Sequence, residues 1–93
     1  MRRIESATVF LRDFKRERKG PYRRDLDSLV SGVVSLSVED APLPEKNRDH
    51  RLGGDWQDHR ECHLKPGLLL IYRKPNAQVL QLVRMGSHSE LFG

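Results

Sequence analysis

The sequence holds one cysteine, Cys62, so no internal disulfide can form, and that usage suits a reducing compartment. It has no long apolar run. The longest, Leu68 to Tyr72, is far short of the ~20 residues a membrane span needs. Arg2 and Arg3 imitate the start of a signal peptide, but Glu5, Arg12 and Asp13 interrupt any apolar core behind them. No repeat or low-complexity segment is present. Its 93 residues leave no room for two domains, so residues 1–93 read as one. A chain of this size buries roughly 60–65% of its unfolded surface, and the hydrophobic content of 37% leaves it little margin. The expectation is a soluble, cytoplasmic protein.

Residues 25–45 have no basic side chain and five acidic ones. On either side the balance reverses. Residues 1–24 carry nine basic and three acidic groups, and residues 46–93 carry eight and five together with all four histidines. The net charge of +4 is therefore segregated, which implies one basic face suited to a polyanion. A solvated surface is the plainer reading of the same charges.

Arg3–Ala7 is short enough for an edge strand. Thr8 is a candidate N-cap for a helix running to about Lys19, with Phe10 and Phe14 facing inward and Arg12, Lys15, Arg16, Arg18 and Lys19 outward. Gly20 and Pro21 end it. From Tyr22, the spacing of Leu26, Leu29, Val30, Val33 and Val34 predicts a second amphipathic helix, so the two make a hairpin. Pro42 and Pro44 mark an irregular connector. Beyond Gly53–Gly54, Trp56–Leu64 alternates as a strand, with His59, Glu61 and His63 on one face and Arg60, Cys62 and Leu64 on the other. Turns at Pro66–Gly67 and Lys74–Asn76 separate it from strands at Leu68–Arg73 and Val79–Met85. The fold class is α+β: a short N-terminal strand and a two-helix hairpin on one face of a twisted antiparallel sheet, with the other face left for function.

In that meander the end of the third strand lies near the end of the first, so His88 should approach His63. His50 must join them by folding back through Gly53–Gly54. Three histidines, Glu61 and Arg84 suit phosphodiester cleavage of RNA. The 2′-hydroxyl must lose a proton to attack phosphorus and the 5′-oxygen must gain one to leave, and imidazole, titrating near pH 6.5, can do either. Arg84 would stabilise charge on the phosphoryl oxygens. By strict alternation it turns toward the core, so it needs a bulge or the strand's end to release it. Phe92 is a candidate base-stacking contact, or a staple for the tail, and Arg60 and Lys65 complete the expected substrate contacts. His59 reads as surface and Trp56 as a core or rim anchor. His59 and His63 flank Cys62, but alternation puts the thiol on the opposite face and no second cysteine exists, so neither metal nor cofactor is expected.

These residues resemble the YafQ branch of the RelE/ParE toxin superfamily, the toxins of bacterial type II toxin–antitoxin pairs. The likeness rests on Asp49-His50-Arg51-Leu52-Gly53 through Trp56, on Arg60-Glu61-Cys62-His63, on Leu70-Ile71-Tyr72, and on Arg84-Met85-Gly86-Ser87-His88-Ser89-Glu90-Leu91-Phe92-Gly93. The resemblance implies ribosome-dependent, metal-independent cleavage of mRNA in the decoding site. It also implies a toxin that is a monomer alone and a hetero-oligomer with its cognate antitoxin, which should wrap the basic helices. By the same resemblance His50, His63 and His88 match site histidines, with Glu61 at an acidic position and Phe92 at a terminal aromatic. His88 is then first choice for the general acid, with Glu61 or His50 as the base and His63 and Arg84 on the phosphate. One departure stands out: many members have an acid and then an aromatic where this chain has Gly67 and Leu68. Two other functions stay in view, a toxin of this fold that blocks its target without cutting RNA, and a basic RNA-binding module with no activity.

Overall fold

A computed structural model describes all 93 residues. Five strands form one sheet in the order β1-β5-β4-β3-β2, with β1 Arg3–Ser6, β2 His50–Arg51, β3 Arg60–Lys65, β4 Leu68–Asn76 and β5 Val79–Gly86. The last four make an antiparallel meander. β1 joins β5 in parallel, so the sheet is mixed rather than wholly antiparallel. Parallel neighbours need a long connection, and here everything from the first helix to β4 supplies it.

Helices α1 (Thr8–Glu17) and α2 (Leu26–Val38) cover one face. Phe10, Leu26, Val33 and Val38 pack there against Cys62, Leu64, Leu68, Leu70, Tyr72, Leu80, Leu82 and Met85. The buried stripe of α1 runs Phe10, Asp13, Glu17, with Phe14 half-buried beside it, so two carboxylates face inward at helical spacing. Thr8 is the first helical residue rather than the cap: Ala7 holds the N-cap position and no side chain caps the helix. α2 begins at Leu26, four residues later than Tyr22, because residues 21–25 form the turns that reverse the chain.

The expected strand over Trp56–Leu64 is shorter at its start. Gly54–Trp56 form a 3-10 turn, and Asp58 has φ 71°, a left-handed conformation that breaks extended pairing. Pairing resumes at Arg60 with the predicted alternation: Cys62 and Leu64 lie under the helices and Glu61 and His63 on the other face. β4 runs through Pro75 to Asn76, so the turn into β5 narrows to Ala77–Gln78.

The second face is only partly open. The chain leaves β5 into a short helix, α3 (His88–Phe92), and Leu91 packs on Leu69 and Ile71, with Leu52, Trp56, Val83 and Phe92 around them. One buried leucine is worth about 1.5–3 kcal/mol, so this small cluster holds the tail only moderately.

Candidate active site

β2 is two residues long, yet it decides the site. It pairs His50 with Glu61, and β3 carries His63 two residues on, on the same face. Glu61 Oε1 then lies 3.6 Å from His50 Nε2 and 3.5 Å from His63 Nε2. The carboxylate is buried, at 6% exposure, while the two imidazoles remain accessible. His50 Nδ1 sits 2.7 Å from the Arg48 carbonyl. A carbonyl only accepts, so Nδ1 carries the proton and a neutral His50 presents an unprotonated Nε2. Arg48 adopts φ 47° to point its carbonyl there. Behind His63, the buried Asn47 donates Nδ2–H to the His63 carbonyl at 2.8 Å, fixing β3 where the imidazole leaves it.

The tail arrives beside this group. Register places Gly86 opposite Leu69 and Leu69 opposite His63, so the three lie in one row across the sheet. Two strand spacings of ~4.8 Å separate the backbones of His63 and Gly86, and α3 starts two residues later. Ser87 caps α3: its Oγ accepts Glu90 N–H at 3.2 Å, and Glu90 Oε1 accepts Ser87 N–H at 2.8 Å. That reciprocal pair holds the Glu90 carboxyl below its ordinary range, through the Ser87 amide first and the nearby Arg16 charge after it. His88 is exposed in the first turn, its ring 5.0 Å from that of Phe92. Phe92 meets Trp56 edge-on at 6.1 Å, and Trp56 meets His59 at 5.2 Å. Phe92 is therefore a staple for the tail, and Trp56 is the rim anchor it docks on.

The cations divide differently from expectation. β5 does carry a bulge beside Arg84, with Ile71 opposite Arg84 and Tyr72 opposite Leu82. The bulge does not bring the guanidinium to Glu61. Arg84 Nε donates to Asp13 Oδ2 at 2.7 Å, and Nη2 reaches Oδ1 at 3.3 Å. Burial pushes the Asp13 carboxyl up, but the bonds from Arg84 and the Met85 amide, with the Arg84 and Arg16 charges, outweigh it and hold it low. Arg60, on the Cys62 face of β3, is bound to Asp49 at 2.9 Å, where the Tyr72 hydroxyl also donates. That pairing raises Arg60 above its ordinary value, and burial with Asp49 raises Tyr72. Lys65 is free of such a partner. With Lys46, Arg48 and the edge of His63 it rims a groove of about 720 Å³ between α2 and the 44–48 loop. Cys62 is wholly buried, and burial pushes its thiol up to about 12, so it is inert packing.

A family model described as a bacterial toxin of type II toxin–antitoxin systems, YafQ, matches residues 2–93. The chain belongs to the YafQ toxin family. It is 33% identical over 92 residues to the mRNA interferase toxin YafQ of Escherichia coli K12, covering 99% of this chain and 97% of that one. The crystal structure of a metal-bound toxin from Helicobacter pylori superposes with a TM-score of 0.88 at 46% identity, covering 99% of this chain and all of that one. YafQ in the crystal structure of the E. coli DinJ–YafQ complex superposes with a TM-score of 0.85 at 31% identity, covering all of both chains.

Position 67 is sterically restricted. A Cβ at that position would lie 2.7 Å from the Tyr22 hydroxyl, so Tyr22 fills the place where any larger residue would begin. Sequence reasoning also missed Asn47, Asp13 and the helical state of the YafQ-like tail. For the tail a signal was present: Ser87-x-x-Glu90 is a capping box readable in any sequence. For Asn47 and Asp13 there was none, since each acts on a residue far along the chain.

Proposed function

We propose that this chain is a ribosome-dependent mRNA endoribonuclease, the toxin of a type II pair, cutting by metal-independent acid–base chemistry. The observation that carries it is the convergence of His50, Glu61 and His63 within 3.6 Å on the face the helices leave open. His50, with its Nδ1 proton held by the Arg48 carbonyl, takes the proton of the 2′-hydroxyl on Nε2. The imidazolium so formed faces the Glu61 carboxylate, which stabilises it. His63 shares that carboxylate and donates to a phosphoryl oxygen, while His88 on α3 returns a proton to the leaving 5′-oxygen. Each positioned acid or base is worth typically ~10²–10⁴ in rate. Lys65 supplies charge for the RNA backbone, and Arg84, held by Asp13 on the face the helices cover, supports β5 rather than the phosphate. Partly exposed Phe92 sets the His88 ring and offers a surface to a base. Arg60, held by Asp49, acts as support for β3 rather than as a substrate contact.

E. coli YafQ forms a complex with DinJ. This chain likewise binds a cognate antitoxin, is a monomer without it, and acts in the cytoplasm. No helix is long and apolar enough to cross a membrane. The test is brief expression followed by mapping of mRNA 5′ ends, in the parent and in His88→Gln. In-frame cuts that vanish in His88→Gln support the reading. Intact mRNA with halted growth would make the chain a blocking toxin, and intact mRNA with normal growth an RNA-binding module.

A further inference from the structure

β5 outruns its neighbour. β1 pairs with it only as far as Leu82, so the outward-facing peptide groups of the next residues have no strand to meet. Two side chains of α1 take that place. Asp13 Oδ2 accepts Met85 N–H at 3.0 Å, and Arg16 Nη2 donates to the Met85 carbonyl at 2.9 Å. The same two residues reach further. Asp13 binds Arg84, and Arg16 Nε lies 3.3 Å from Glu90 Oε2, on the carboxylate whose other oxygen caps α3. Arg16 is itself aimed by Asp13 Oδ1 at 3.1 Å and Glu17 Oε2 at 3.0 Å. Gly86 permits the arrangement: a Cβ there would stand 2.8 Å from Arg16 Nη2 and 3.1 Å from Glu90 Oε1. Residues 84–90 are thus clamped from α1 at both the strand end and the helix cap. Pairing with β4 holds residues 84–86, but beyond them α3 is five residues long and buries only Leu91.

We infer that Asp13 and Arg16 are positioning residues for His88, acting through Met85 and Glu90 on the start of α3. Part of the basic face of α1 is then neither solvated surface nor contact with a polyanion. A side chain on an exposed five-residue helix delivers a proton to one oxygen only if its backbone is held, and a misplacement of about 1 Å can cost ~10²-fold in rate. The inference rests on the reading of His88 as the general acid.

The experiment compares Arg16→Gln, Arg16→Lys and Gly86→Ala with the parent, in two measurements. Amide hydrogen exchange on the isolated chain should show Ser87 opening about tenfold faster or more in Arg16→Gln and Gly86→Ala, with Leu70 and Leu80 unchanged. Cleavage of ribosome-bound mRNA should show kcat reduced roughly 10- to 100-fold with KM within about twofold, because no RNA contact is lost. Arg16→Lys, which keeps charge but not the fork, should recover part of both. In a His88→Gln background, Arg16→Gln should cost nothing further. Unchanged Ser87 exchange, a rise in KM at constant kcat, or full additivity with His88→Gln would each overturn the inference. If His88→Gln alone cuts as fast as the parent, the reading of the site fails, and the exchange result still decides the clamp. Should Arg16→Gln not fold, Glu90→Gln, which keeps the cap and loses the charge toward Arg16, must show the same changes at smaller size or the inference falls.

Discussion

Two buried carboxylates sit on opposite faces of the same sheet, and they are not used alike. Asp13 is 2% exposed and Glu61 6%, so both have given up water. Asp13 is repaid in full by Arg84, the Met85 amide and Arg16, all within hydrogen-bond distance and all with permanent protons. Glu61 has only two imidazoles, at 3.5 and 3.6 Å, neither of them a permanently charged donor. A carboxylate bound by fixed donors is a structural anchor. One facing titratable rings is placed to respond when they change charge. Burial alone does not mark a functional acid; the exchangeability of its partners does.

The comparison breaks most visibly at the anchor. Asp13→Ala leaves Arg84 and the Met85 N–H without their acceptor and takes one of several from Arg16. Loss of one member of a buried pair costs ~3–5 kcal/mol, and the lower end applies because Arg84 is a quarter exposed. Thermal unfolding should show the melting temperature down by roughly 12–24 °C at about 3 kcal/mol.

Acid should act through the same residue. Asp13 is held below its ordinary value, so the folded chain keeps it ionised at a pH where the unfolded chain has begun to protonate. Its contribution is complete above the usual carboxylate range, near pH 4, and drains away as the pH falls through the depressed folded value. Melting temperatures taken from about pH 5 downward should fall more steeply for the parent than for Asp13→Ala.

Gly67→Asp adds an acid at the turn between β3 and β4, against Tyr22. Its Cβ must displace the Tyr22 hydroxyl from 2.7 Å, at a cost of about 1 kcal/mol, the low end for overpacking because Tyr22 is only half-buried. In a Tyr22→Phe background that cost should largely disappear, which a double-mutant cycle on unfolding free energy would read. The smallest effect belongs to Asp40. Arg2 and Lys74 hold it at about 2, yet it is on the surface, and such pairs contribute little. Asp40→Asn should leave the melting temperature almost unmoved.

The division between faces was legible in the sequence where it depended on period. Alternation through Glu61-Cys62-His63-Leu64 separated the acid and imidazole from the buried thiol, and helical spacing of Leu26, Val33 and their neighbours marked the covering layer. What depended on distant parts of the chain was not legible. Nothing local says that Arg3–Ser6 pairs in parallel with Val79–Leu82, or that Asp13 is the partner of Arg84, 71 residues later. Arg84 read as a site cation because its local sequence looks catalytic, while the residue that claims it lies on the first helix. Asp58, with its left-handed backbone, likewise ended the alternating stretch at a point composition did not show.

The most direct test is the single-turnover cleavage rate of ribosome-bound mRNA by Glu61→Gln, measured beside its melting temperature. Gln keeps the shape and removes the charge that faces both imidazoles. The expected result is a rate lower by about 10²-fold or more, with a melting temperature close to the parent's. An unchanged rate, or a loss of rate explained by unfolding, would contradict the assignment of Glu61 to the chemistry and leave it a second anchor like Asp13.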